Sequence, residues 1–99
     1  MGQIYSIEDL RSILSPVFAR YGVKRAVLFG SYANACATEK SDLDLLVDSN
    51  LRGMLFVGLS EELSSALRIN VDVFDVSHIE PQSLIEREIR ETGVTLYEK

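Results

Sequence analysis

Three short apolar runs, VKRAVLF at 23–29, DLDLLV at 42–47 and VDVFDV at 71–76, are separated by stretches whose apolar residues recur every three or four positions. Runs this short and this rich in Val, Leu and Phe read as strands of a sheet covered by helices, and the interleaving predicts an α/β architecture. With 99 residues there is room for one hydrophobic core, so the expectation is a single domain over 1–99.

The intervening segments carry helix punctuation. Ser6 and Asp9 resemble a capping box, and Ile7, Leu10, Leu14, Val17 and Phe18 follow at helical spacing, predicting a helix over about 7–20 that Gly22 ends. Pro16 inside that pattern predicts either a kink or a restart with Ser15 as cap. Residues 31–40 are small and polar, with room for one helical turn after Ser31. Leu55, Leu59, Leu63, Ala66 and Leu67 mark a second helix over 55–67. Pro81 suits the first turn of a last helix, 82–91, with Leu84, Ile85 and Ile89 as its apolar stripe and Gly93 beyond. VTLY at 94–97 reads as a short edge strand or a tail. The order of strands in the sheet stays open.

Composition removes several classes of function. Ten Lys and Arg against fifteen Asp and Glu leave a net charge of −5, the wrong sign for extensive contact with nucleic-acid phosphates. No apolar run approaches the roughly 20 residues that span a bilayer, and the start MGQIYSIEDLRS lacks a signal peptide's basic and apolar regions, so no membrane partner and a cytoplasmic location are expected. One Cys and one His assemble no zinc cluster, which leaves carboxylates as the ligands for any metal.

The chemistry concentrates between Gly30 and Asp44. A Gly-Ser pair closes the first strand run, ten residues intervene, and Asp42-Leu43-Asp44 opens the second. Gly30 has no Cβ, so backbone there can approach a phosphate, and Ser31 adds a hydroxyl donor. Asp42 and Asp44 alternate with Leu43, Leu45 and Val47, which puts both carboxylates on one side of a strand, roughly 6–7 Å apart. Two such groups repel, and a hard divalent cation, Mg²⁺ for preference, relieves the repulsion. Asp72 interrupts an apolar run, where an unpaired carboxylate is costly, and a third ligand facing the first two accounts for it. A phosphate cradle beside three carboxylates is equipment for two-metal phosphoryl or nucleotidyl transfer, with Asp42, Asp44 and Asp72 on the metals and Asp72 placed to take the acceptor's proton.

Neighbouring residues have plainer readings. Asp75 competes for the third-ligand role but has the opposite parity to Asp72, and Asp48 shares parity with the metal pair yet sits at the strand's far end. His78 and Cys36 read as bystanders, and Tyr32 as either a site-lining or a packing residue. The Leu55, Phe56, Leu59 face reads as core, while Met54 and Val57 leave room for a partner surface.

GSYANACATEKSDLDLLV resembles the nucleotidyltransferase signature of the DNA polymerase β superfamily, and the early FGSYA, the later INVDVFDV and the small size resemble its minimal nucleotidyltransferase (MNT) branch, over about residues 20–97. The resemblance implies a nucleotidyltransferase fold, a small mixed sheet with helices packed against it. It also implies ATP as substrate, two Mg²⁺ ions, and a HEPN-domain toxin as hetero-oligomeric partner, to whose tyrosine AMP is transferred. Gly30 and Ser31 fall on the phosphate-binding pair, Asp42 and Asp44 on the metal pair, and Asp72 on the third carboxylate. Asn34 and Ala35 stand where the family often has Arg or Lys followed by Gly. That departure takes a cation and a glycine from beside the triphosphate, and it supports an alternative in which the chain neutralises its partner by stoichiometric binding.

Overall fold

The computed structural model describes residues 5–30, 32–33 and 42–99. Ser31, the residue 34–35 departure, Cys36 and the turn expected after Ser31 lie outside the described residues.

Helix α1 spans Ile7–Arg20. Its start is the expected capping box, with the Asp9 N–H donating to Ser6 Oγ at 3.1 Å and the Ser6 N–H donating to Asp9 Oδ2 at 3.4 Å. Its end is a Schellman turn, in which Gly22 at φ +71° donates its N–H to Ala19 O and Val23 donates to Phe18 O. Pro16 lies inside this one continuous helix rather than restarting it. The four residues that end the stripe, Leu10, Leu14, Val17 and Phe18, are all buried, and the packing of that face outweighs the single hydrogen bond the ring removes.

Strands β1 (Arg25–Phe29), β2 (Leu43–Asp48), β3 (Val71–Asp75) and β4 (Val94–Glu98) form a sheet in the order β3-β2-β1-β4. β1 is antiparallel to both β2 and β4, while β2 and β3 are parallel, so the sheet is mixed. The parallel pair requires a crossover, and α2 (Met54–Leu67) supplies it. The 94–97 run is an edge strand, with Thr95 opposite Val27 across a bulge in the pairing with β1.

One face of the sheet carries the core. Ala26 and Leu28 of β1, Leu43, Leu45 and Val47 of β2, and Val71 of β3 pack with the stripes of α1 and α2. The α2 stripe is narrower than expected: Leu59, Leu63 and Leu67 are buried, but Ala66 is exposed and Leu55, one turn before Leu59, is 61% exposed beside Tyr21, Leu51 and Glu62. Met54 and Val57 are exposed as well.

Helix α3 (Leu84–Thr92) lies on the other face, with Gly93 against Val27 and Glu86 sharing a groove with Leu46 and Val76. It starts two residues later than the sequence reading expected. Ser83, not the Pro81 turn, caps it, accepting from the Glu86 N–H at 3.2 Å, while Gln82 adopts φ +64°. Leu84, assigned to the apolar stripe, is 84% exposed, and only Ile85 and Ile89 turn inward.

Candidate active site

The register assembles the site. Phe29, the last residue of β1, is opposite Asp44 of β2, and Asp44 is opposite Asp72 of β3. Because β2 and β3 are parallel, the two carboxylates occupy the same row and the same face, the one away from the α1/α2 core. Asp42 precedes β2 by one residue and is exposed, as is Asp72, while Asp44 is half-buried. All three acids singled out in the sequence therefore meet at one rim of the sheet.

Gly30 follows Phe29 at φ +78°, a conformation that disfavours side chains. A Cβ built at Gly30 would collide with Asp44 Oδ2. Glycine thus suits the backbone shape, and any side chain there would make the Asp44 carboxylate move aside. The Ala33 N–H closes the following turn on Gly30 O at 3.1 Å. Tyr32 is buried in the core, so of its two readings the packing one holds.

Burial pushes the Asp44 carboxyl above its ordinary range, and the charges of Asp72, Glu88 and Asp42, in that order, push it further. None of the ion pairs among the described residues involves these four acids. Glu88 belongs to α3 and was not singled out in the sequence, where nothing indicates which strand that helix covers.

This donor set suits a hard cation: oxygen ligands only, mutually repelling, with no cationic side chain among the described residues paired to them. As they stand, no three His, Cys, Asp or Glu side chains among the described residues close a ligand set for a metal ion.

Asp75 behaves as its parity indicated. It points into the protein, 3% exposed, at the opposite end of β3. It accepts from Ser49 Oγ at 2.8 Å, Ser49 N at 3.3 Å, Ser77 Oγ at 2.6 Å and Ser77 N at 3.0 Å. Burial alone would push its carboxyl up, but the bonds from Ser77 and then Ser49 together hold it below the ordinary range. Asp48 ends β2 opposite Arg25, and His78 stacks edge-on against Phe56 with centroids 5.8 Å apart, both remote from the acidic rim.

Comparison with known proteins identifies the family. Residues 13–99 match the family model of polymerase beta nucleotidyltransferases. The chain is 36% identical over 74 residues to the protein adenylyltransferase MntA of Thermococcus cleftensis, covering 69% of this chain and 75% of that one. It is 37% identical over 78 residues to MJ0435 of Methanocaldococcus jannaschii, a candidate protein adenylyltransferase, covering 77% and 84%. Among solved structures, a candidate minimal nucleotidyltransferase superposes with TM-score 0.75 at 30% identity, covering 94% of this chain and 98% of that one. A toxin–antitoxin structure with AMP-PNP gives TM-score 0.77 at 22% identity, covering 90% and 73%. An MNT antitoxin complex with tri-AMPylated HEPN toxin of Shewanella oneidensis gives 0.71 at 20%, covering 94% and 73%. With an acidic rim on a mixed sheet, a glycine-bounded approach to it and a family match over most of its length, this chain belongs to the polymerase beta nucleotidyltransferase family, among the protein adenylyltransferases.

Proposed function

We propose that this chain is an antitoxin that transfers AMP from ATP to a hydroxyl, a tyrosine for preference, of a partner HEPN-type toxin. The observation that carries the reading is the Asp44–Asp72 pairing in one row beside Gly30. The relatives support the acceptor class: close ones are named protein adenylyltransferases, and one structural neighbour is an antitoxin bound to a toxin that carries AMP groups.

Gly30 and Ser31 would receive the triphosphate, and Asp42, Asp44 and Asp72 would hold two Mg²⁺ ions. When bound, these ions neutralise the leaving pyrophosphate and acidify the attacking hydroxyl. Asp72, exposed at the rim, takes the proton from the acceptor oxygen as that oxygen bonds to the α-phosphorus and the bond to pyrophosphate breaks. Since Asp42 and Asp72 are exposed, an acceptor carried by a second protein can reach them. Met54 and Val57, apolar and exposed on α2, offer that protein a contact surface.

Incubation with labelled ATP, Mg²⁺ and the toxin tests the reading. Label should appear on the toxin, and Asp42→Ala/Asp44→Ala should remove it by about 10³-fold or more, the rate equivalent of several kcal/mol of cation stabilisation. A doubly substituted chain that still neutralises the toxin, with no labelling by the unsubstituted one, would establish the alternative of stoichiometric inhibition, which Asn34 and Ala35 favour.

A further inference from the structure

Nucleotidyl transfer sets the attacking and leaving oxygens roughly in line, so a triphosphate received at Gly30 directs its acceptor to the opposite side of Asp44. The register fixes which side that is. Gly30 follows β1, Asp44 lies on β2, and Asp72 lies on β3, the outer strand of the sheet among the described residues. The acceptor therefore arrives over β3. Two side chains of β3 share the face of the acidic rim, Asp72 and, two residues on, Phe74, whereas Val73 turns the other way and packs on the core. The Phe74 ring meets Phe29 of β1 with centroids 5.8 Å apart and planes tilted by 49°, a favourable aromatic pair. Phe29 is buried, but Phe74 is only half-buried, and no strand among the described residues lies beyond it. An apolar ring is thus fixed beside Asp72 on the side from which the acceptor comes.

We propose that Phe74 is a specificity-determining residue of the acceptor side: the ring of an incoming tyrosine lies against it while the phenol oxygen reaches Asp72. The inference rests on the nucleotidyltransferase reading above and selects the acceptor within it. Asp72 and Phe74 are separated by roughly 6–7 Å, two steps of strand rise. A phenol carries its hydroxyl at the far end of a rigid ring, so it bridges that gap with the ring still on Phe74. The hydroxyl of serine or threonine, borne directly on Cβ, falls short of it. Aromatic pairs also gain from offset or edge contact beyond their burial, which an aliphatic side chain at this position does not supply. The phenol oxygen then bonds to the α-phosphorus, its proton passes to Asp72, and the bond to pyrophosphate breaks.

The test is steady-state labelling of the toxin with ATP, varying each substrate in turn, with the labelled positions mapped by mass spectrometry. The unsubstituted chain should label tyrosine. Phe74→Leu should raise the KM for the toxin by about fivefold and leave the KM for ATP within about twofold. Phe74→Tyr, which keeps both the pair with Phe29 and the ring offered to the acceptor, should hold both values within about twofold. The role of Phe74 is overturned, with the nucleotidyltransferase reading intact, by any of four results. These are label on serine or threonine from the unsubstituted chain, an unchanged toxin KM in Phe74→Leu, a KM for ATP that rises as much as that for the toxin, or a Phe74→Tyr chain as impaired as Phe74→Leu. The third would assign the ring to the adenine instead. If the unsubstituted chain labels nothing, the nucleotidyltransferase reading itself falls, and Phe74 with it.

Discussion

Gly30 and Asp44 constrain each other. The backbone at Gly30 has a positive φ, and the Asp44 carboxylate fills the space where a side chain would start. Gly30→Ala should therefore cost about 1–2 kcal/mol for the left-handed backbone and displace Asp44 as well. Chemical denaturation would show the loss, and nucleotide-dependent labelling should fall more than stability does. A variant with full labelling would mean that the carboxylate tolerates the shift. Asp44 itself works against folding. A carboxyl held above its ordinary range is a charge the folded chain resists, so Asp44→Asn should stabilise the metal-free protein by about 0.5 kcal/mol, a rise in Tm of roughly 2–4 °C, while removing activity. A drop in Tm would show that Asp44 supports the fold through contacts rather than burdening it with charge.

The elements differ in how far they could be read in advance. α1 was legible because its signals are local and agree: a capping box, a stripe at 3.6-residue period and a glycine at the end. The acidic rim was legible from parity alone, since alternation along β2 and β3 fixes which side each Asp takes. What was not legible depends on tertiary placement. Strand order is set by which edges pair, the exposure of Leu55 by where α2 meets α1, and the charge that Glu88 adds at Asp44 by which face α3 covers. The start of α3 was a local signal passed over: Ser83-x-x-Glu86 is a capping pattern stronger than Pro81 as a first-turn residue. Ser83→Ala should cost about 1 kcal/mol. Because α3 has no fully buried residue, that loss should appear as faster amide exchange in α3 before the rest of the protein opens. Uniform acceleration across all elements would mean that α3 opens only with the whole domain.

Across the whole molecule, the two ends of the β2–β3 pair carry opposite electrostatic assignments. At the rim near Gly30, Asp44 is raised by burial and by its acidic neighbours. At the other end, Asp75 pairs with Val47, three residues and roughly 10 Å of strand rise from Asp44, and it is lowered by the bonds from Ser77 and Ser49 that outweigh its burial. The consequences for stability have opposite signs. Asp75 contributes stability above the ordinary carboxylate range that is lost as pH falls through its lowered value. Asp44 imposes a cost at neutral pH that is relieved as pH falls through its raised value. Acid unfolding is therefore driven in part by Asp75 and partly offset by Asp44. Asp75→Asn, which turns a charge-assisted acceptor into a neutral one, should lose about 2 kcal/mol at neutral pH and flatten the acid limb, whereas Asp44→Asn should steepen it. At this separation the two changes share no partners, so the double variant should equal their sum within about 0.5 kcal/mol. Urea midpoints for the four proteins at about pH 7, 5 and 3 would measure all of this. A coupling above about 1 kcal/mol, or acid limbs that shift in the same direction, would mean that the chemical end and the structural end of the sheet are not independent, and that the acidic rim cannot be altered without loosening the bonds at Asp75.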